Sequence, residues 1–224
     1  MRNMIPLLLF LVTYMNTTNA QFKIGQDIVG TPYESKHPDK FIGDVYLYSN
    51  WLNGHVLQED DKHFNNMLLK YDIFNDQVIF NSPDSTPMLF KYPIKEFQLI
   101  LNQFNKTSLL LFKNGFPPIG KYDSKNYYQV LTEGKTTFIK KLYKSVVETT
   151  NYGDSEKKKN FLTNESYFLH HKDKMIKLQR TEKAFLEALT DERAKLVSFI
   201  AEKKLKMKSD QDYITVVNFY NTLK

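Results

Sequence analysis

Residues 68–81, LLKYDIFNDQVIFN, constrain this chain more than any other stretch. Apolar side chains recur at Leu69, Tyr71 and Ile73 and again at Val78 and Phe80, with Asn75 and Asp76 between the runs. A period of two on both sides of turn-forming residues predicts a β-hairpin. A two-stranded ribbon with one apolar face is not stable alone in water, so more sheet must be built beside it. In this register Ile73 faces the packed side and Asp72 faces water.

The first half of the chain supplies that sheet. Residues 41–48 alternate around Val45, Leu47 and then Trp51 and read as a first strand or strand pair. Asn53-Gly54 reads as a two-residue turn, with residues 55–58 as the return strand. Glu59-Asp60-Asp61 reads as a solvated turn, and residues 83–87 as another. Segments 88–92, 97–100, 108–112, 127–131 and 136–142 read as short strands, with Asn114-Gly115 and Glu133-Gly134 at turns. Residues 141–150 fit a helix or a strand, 152–160 form a polar break, and 168–178 repeat the hairpin pattern around Lys172-Asp173. Short strands about ten residues apart, without crossover helices, predict an antiparallel meander, a curved sheet or a partial barrel.

From Thr181 the period becomes helical. Phe185, Leu186 and Leu189 mark a short helix, and Thr190 is placed to cap the next, whose inner stripe is Leu196, Val197, Ile200 and Leu205. Ser209 caps a last helix, with Asp212 in the reciprocal position of a loose capping box. Tyr213, Val216, Val217, Tyr220 and Leu223 form its inner stripe. The fold class is therefore α+β. A β-rich body over 41–180 follows an irregular lead-in over 21–40, and a helical C-terminal segment over 181–224 packs on that body.

Arg2, the short apolar core at 5–12 and Thr18-Asn19-Ala20 have the form of a cleaved signal peptide over 1–20. The core is short for a bilayer span and Pro6 interrupts it. No later window is long and apolar enough for a transmembrane helix. The expected address is periplasmic or secreted, with peripheral attachment at the outer membrane as one form of it. Cysteine is absent, which removes disulfides, thiol chemistry and cysteine-based zinc sites. The net charge is +6, falling to +5 once Arg2 leaves with the leader. Without a concentrated arginine patch, an exported chain of this charge does not call for nucleic acid.

Candidate sites are few. Gly134-Lys135-Thr136 has the tail of a phosphate-binding loop, but Gln129 stands where that motif needs glycine. His170 and His171 are neighbours on a strand and point to opposite faces, so they read as exposed hairpin histidines rather than a metal pair. Glu59, Asp60 and Asp61 are consecutive, which does not suit a calcium loop. The 17 Phe, 14 Tyr and the single Trp51 are the most distinctive material. Most belong in the core. Trp51, Tyr46, Tyr48 and the Tyr127-Tyr128 pair are the candidates to line a ligand groove. No cofactor is implied.

The signal-bearing N-terminus, the segment LLKYDIFNDQVIF and the ending VVNFYNTLK resemble uncharacterised exported proteins of Bacteroidota, in which a Tyr- and Asn-rich hairpin precedes a Lys-rich helical tail. The resemblance transfers no catalytic residue. It implies a non-enzymatic binding or structural role in the bacterial envelope, with an envelope protein, a glycan or an apolar ligand as partner. A carbohydrate-active or other hydrolytic enzyme and a carrier of a lipid or apolar ligand are the alternatives. Convergent carboxylates in a cleft would mark the first, and an aromatic-lined hollow between sheet and helices the second.

Overall fold

The computed structural model describes residues 28–34, 41–149 and 158–223. The expected leader, its cleavage point, residues 21–27 and 35–40 of the lead-in and most of the polar break after Thr149 lie outside the described residues.

One sheet organises the molecule. Its strands are β1 (Gly30–Pro32), β2 (Phe41–Ile42), β3 (Leu52–Gln58), β4 (His63–Asp72), β5 (Gln77–Asn81) and β6 (Pro87–Phe90), then β7 (Ile94–Gln103), β8 (Lys106–Lys113), β9 (Tyr128–Thr132), β10 (Thr136–Thr149), β11 (Lys158–His171) and β12 (Lys174–Leu178). The order is β1-β6-β5-β4-β3-β7-β8-β9-β10-β11-β12, antiparallel throughout, with β2 added in parallel to β11. The sheet is open and curved. Its curl brings the Lys144 amide of β10 to within 3.3 Å of the Ile73 carbonyl, at the turn between β4 and β5. Three helices follow, α1 (Glu182–Ala188), α2 (Arg193–Glu202) and α3 (Asp210–Thr222). The architecture is α+β.

The central hairpin forms as its alternation requires. Leu69 pairs with Phe80 and Tyr71 with Val78, and all four are buried together with Ile73. Asp72 departs from expectation: it is 0 % exposed rather than facing water. Its side of the ribbon is the face opposite Leu69 and Tyr71, and there the side chains of Tyr33 and Asn75 close over its carboxylate.

Three local readings give way to tertiary contacts. Residues 41–48 form only the two residues of β2 and a single bridge from Tyr46 to Asp72. Gly43, at φ +90°, breaks the run, and the Asp44 carboxylate accepts the Tyr46 amide at 3.0 Å, a local turn that competes with a strand. Asn53-Gly54 lies inside β3, not at a turn. A Cβ on Gly54 would sit 2.2 Å from the Gln98 carbonyl oxygen and 2.7 Å from Leu69 Cδ1, so glycine serves close strand approach beside a bulge. Residues 141–149 resolve as strand, continuing β10 through Val146 and Val147.

The helices dock on one face of β10–β12. Phe138, Tyr167, Leu169 and Leu178 meet Phe185, Leu186, Leu196, Ile200, Tyr213, Val216, Val217 and Tyr220 in one buried cluster. Thr181 accepts the Ala184 amide as the cap of α1. Ser209 and Asp212 form the complete capping box of α3. Thr190 does not cap α2. It opens a 3-10 turn over Thr190–Glu192, and Glu192 precedes the helix without a side-chain bond. Val197, expected in the inner stripe, is 43 % exposed, because α2 turns only Leu196 and Ile200 fully inward. A second cluster is built on Tyr71, Phe97 and Phe112 and takes in the apolar face of the central hairpin. A third, of Tyr128, Ile139 and Phe168, lies beneath Phe116, Ile119 and Tyr122.

Candidate functional site

The end of the central hairpin gathers polar groups from distant parts of the chain. Asp72 Oδ1 accepts the amides of Phe74 and Asn75, each at 2.9 Å. Its Oδ2 accepts Tyr33 Oη at 2.9 Å and Asn75 Nδ2 at 2.7 Å. A carboxylate that receives turn amides shapes the turn, and the tyrosine ties residues 28–34 across the sheet to it. Burial and the Asp72 charge push the Tyr33 hydroxyl well above its ordinary range. Tyr46 lies alongside and its hydroxyl is also raised, chiefly by burial. Between the 28–34 segment and the hairpin lies a cavity of about 430 Å³ lined by Pro32, Tyr33, Glu34, Asn75, Gln77 and Leu89.

Two of the aromatic candidates meet beside this knot. Lys70 Nζ, on the same strand face as Asp72, lies 4.6 Å from the Tyr46 ring centroid and 5.1 Å from that of Trp51. The chain's own cation thus occupies the faces of both rings. Tyr48 is half-buried, which raises its hydroxyl pKa, and among the described residues it makes no ring contact with the other two. Tyr127, just before β9, and Tyr128, its first residue, point into different clusters. Tyr127 packs edge-on to Tyr71 and Phe97 and donates its hydroxyl to the Ile94 carbonyl at 2.8 Å. Tyr128 packs against Phe116 and Phe168, and its hydroxyl is buried without a hydrogen-bond partner in the structure. Both are core residues.

A second knot escaped the sequence reading. Lys141, 3 % exposed, places Nζ 2.7 Å from Asp76 Oδ1 and 2.9 Å from the Tyr127 carbonyl. Asp76 also accepts the Tyr71 hydroxyl, Asn126 Nδ2 at 2.7 Å and the Tyr127 amide at 3.3 Å. Burial lowers the Lys141 pKa, and the Asp76 charge opposes that shift. The same burial, reinforced by Asp76, holds the Tyr71 hydroxyl well above its usual value. The only available signal was a lysine at an inward position of a strand otherwise rich in core residues. On the other side of β10, Lys140 pairs with Asp210 at 2.9 Å, and Arg180 reaches the same carboxylate at 3.2 Å.

The remaining motifs are absorbed by structure. The Thr136 amide donates to Asn221 Oδ1 at 2.8 Å, and Asn221 Nδ2 donates to the Thr136 carbonyl at 2.9 Å, so the Gly134-Lys135-Thr136 turn is tied to α3. His170 and His171 do face opposite ways, His170 against the Phe116 ring. His171, however, is buried rather than exposed, 2.7 Å from Thr136 Oγ1 and edge-on to Tyr220, because α3 covers its side of the hairpin. His55 Nδ1 lies 2.9 Å from Asn65 Oδ1. Glu59, Asp60 and Asp61 form the exposed turn expected of them, with Asp60 paired to Lys62 at 3.0 Å. No helix among the described residues is long and apolar enough to cross a membrane. The chain matches no family model, no curated protein and no solved structure.

Proposed function

We propose that this chain is an exported, non-enzymatic binding component of a bacterial envelope, and that the cavity beside Asp72 takes a glycan. The observation that carries the reading is the lining of that cavity. Asn75 and Gln77 offer amide donors and acceptors, Glu34 offers acceptors, and the Tyr33 ring offers an apolar face. That combination suits a sugar, which presents neighbouring hydroxyls on its edges and C–H groups on its faces. Asp72 anchors both walls at once, through Tyr33 on one side and Asn75 on the other, so the site is preorganised.

The non-enzymatic reading is supported by where the inward carboxylates are committed. Asp76 is neutralised by Lys141, Asp210 by Lys140 and Arg180, and Asp72 is saturated by turn amides and Tyr33. The carrier reading draws less support, because Phe138, Phe185 and Tyr213 fill the space between sheet and helices. Export rests on the basic start and short apolar core of residues 1–20.

The test begins with a glycan array probed with mature protein, followed by calorimetry on the sugars retained. Gln77→Ala and Glu34→Ala should each weaken binding at least about tenfold, as expected for lost hydrogen bonds to a bound hydroxyl, with the urea midpoint unchanged. Silence on the array, or sugars whose affinity ignores both substitutions, would overturn the assignment. Mass spectrometry of the mature chain should place its N-terminus at Gln21 or within a few residues; a Met1 start in the cytoplasm would remove the envelope address.

A further inference from the structure

We propose that the turn joining α2 to α3 is a docking surface for anionic lipid head groups. Residues 193–208 hold Arg193, Lys195, Lys203, Lys204, Lys206 and Lys208 against the single acid Glu202, a net +5 out of +6 for the whole chain. Lys195 is paired with Glu192 at 2.8 Å and Lys203 with Glu202 at 3.0 Å. Lys204, Lys206 and Lys208 are exposed, and among the described residues no carboxylate lies within ion-pair distance of them. The acids nearest in sequence are committed elsewhere: Asp210 to Lys140 and Arg180, Asp212 to the amides of Lys208 and Ser209 as the cap of α3. The positive field of the turn is therefore directed at solvent.

The backbone concentrates it. The Leu205 amide donates to the Ile200 carbonyl at 3.0 Å, closing the end of α2, with Lys204 left-handed at φ 53° and Met207 at φ 51°. That helix-ending position favours glycine, yet here it carries a charged side chain.

Apolar surface adjoins the charge. Phe199 and Phe219 stack with centroids 4.0 Å apart, beside an open hollow of about 400 Å³ that Ala194, Lys195, Ser198 and Glu202 also line, the last with its charge held by Lys203. Lys203 Nζ lies 5.9 Å from the Phe199 centroid, which joins the aromatic pair to the basic turn. Lysines beside aromatic rings on a helical surface are what a head-group interface binds, charge to phosphate and ring to the acyl boundary. A nucleic acid fits less well. Its three unpaired cations are lysines, point charges that do not form the planar bidentate contacts by which arginine reads phosphate and base edges, and Phe199 and Phe219 stack on each other rather than standing apart to hold a base. None of these residues lines the cavity beside Asp72, so this surface and the glycan site stand or fall separately.

The experiment is co-sedimentation of mature protein with phosphatidylcholine vesicles and with vesicles containing roughly one-third phosphatidylglycerol. Binding should require the anionic lipid and weaken as salt rises. Changing Lys204, Lys206 and Lys208 together to Gln should weaken it about a hundredfold, since each basic residue near an anionic surface contributes about 1 kcal/mol. Changing the exposed Lys106, Lys125 and Lys174 to Gln removes the same charge elsewhere and should leave binding within about twofold. Equal losses in the two triple variants, equal binding to neutral vesicles, tighter binding to duplex DNA, or no vesicle binding at all would each overturn the proposal. Circular dichroism of both variants verifies the fold.

Discussion

At the scale of single residues, buried polar groups carry most of what is specific to this molecule. Replacing Ile73 with Ala should cost about 2–4 kcal/mol through lost transfer energy and a cavity. Asp72→Ala should cost about 2 kcal/mol, since it removes charge-assisted bonds to Tyr33 and to the turn. Urea titration of both variants checks this; a loss within about 0.5 kcal/mol for Asp72→Ala would return that residue to the surface class. Alternation correctly put Asp72 on the face opposite Tyr71, but only long-range folding could bury that face, because its cover comes from Tyr33, 39 positions earlier. Gly54 was misread for the same reason: its need for a missing side chain is set by Gln98. Lys141→Met should cost about 3–5 kcal/mol by leaving Asp76 without its counter-charge. Adding Asp76→Asn should recover part of the loss, and a double-mutant cycle measures how much. His171 gives a pH signature. Burial first, and the Lys172 charge next, hold its pKa below the ordinary 6.5. The unfolded chain therefore binds the proton more readily, and the contribution is complete above about pH 6.5 and shrinks as pH falls toward the folded value. His171→Gln should flatten that limb of the stability profile, and an unchanged slope between about pH 5 and 7 would assign the acid sensitivity to other groups.

At the scale of elements, those whose signals are local were the legible ones. The β11–β12 hairpin turns at Lys172 and Asp173, both left-handed, where a turn-forming pair was read. The α3 stripe is likewise self-contained, with Tyr213, Val216, Val217 and Tyr220 all fully buried on the sheet and the capping box complete. β2 carries no such signal, and at the start of α2 the local signal misleads, since Thr190 opens a 3-10 turn instead of capping the helix. Because α3 is docked on its own chain, removing Ser209 as cap should cost about 1 kcal/mol. Deleting residues 209–224 should cost several kcal/mol, since four side chains leave the core. The urea midpoint of the truncated mature protein checks the second; an unchanged midpoint would place α3 outside the core.

At the scale of the whole molecule, the question is whether the sheet and the helical layer melt together. The three buried clusters are distinct, but single strands serve more than one of them. On β10, Phe138 enters the helix-side cluster, Ile139 the opposite one, and Leu142 packs against the cluster under the central hairpin. Residues 127 and 128 divide in the same way between two clusters. Ion pairs cross in both directions, from Lys141 to the hairpin turn and from Lys140 to α3. Losing β10 from any one cluster removes it from all three, so the body has no seam along which half could unfold alone. Unfolding should be a single cooperative transition. Trp51 is the only tryptophan and lies at the start of β3, beside Lys70, so its fluorescence reports the hairpin end of the sheet. Far-UV circular dichroism at 222 nm, the usual helix wavelength, reports α1 to α3. The two probes should give coincident urea midpoints. Helical signal lost well before the Trp51 signal would mean that β10 does not couple the clusters, and that the helical layer is a separate cooperative unit.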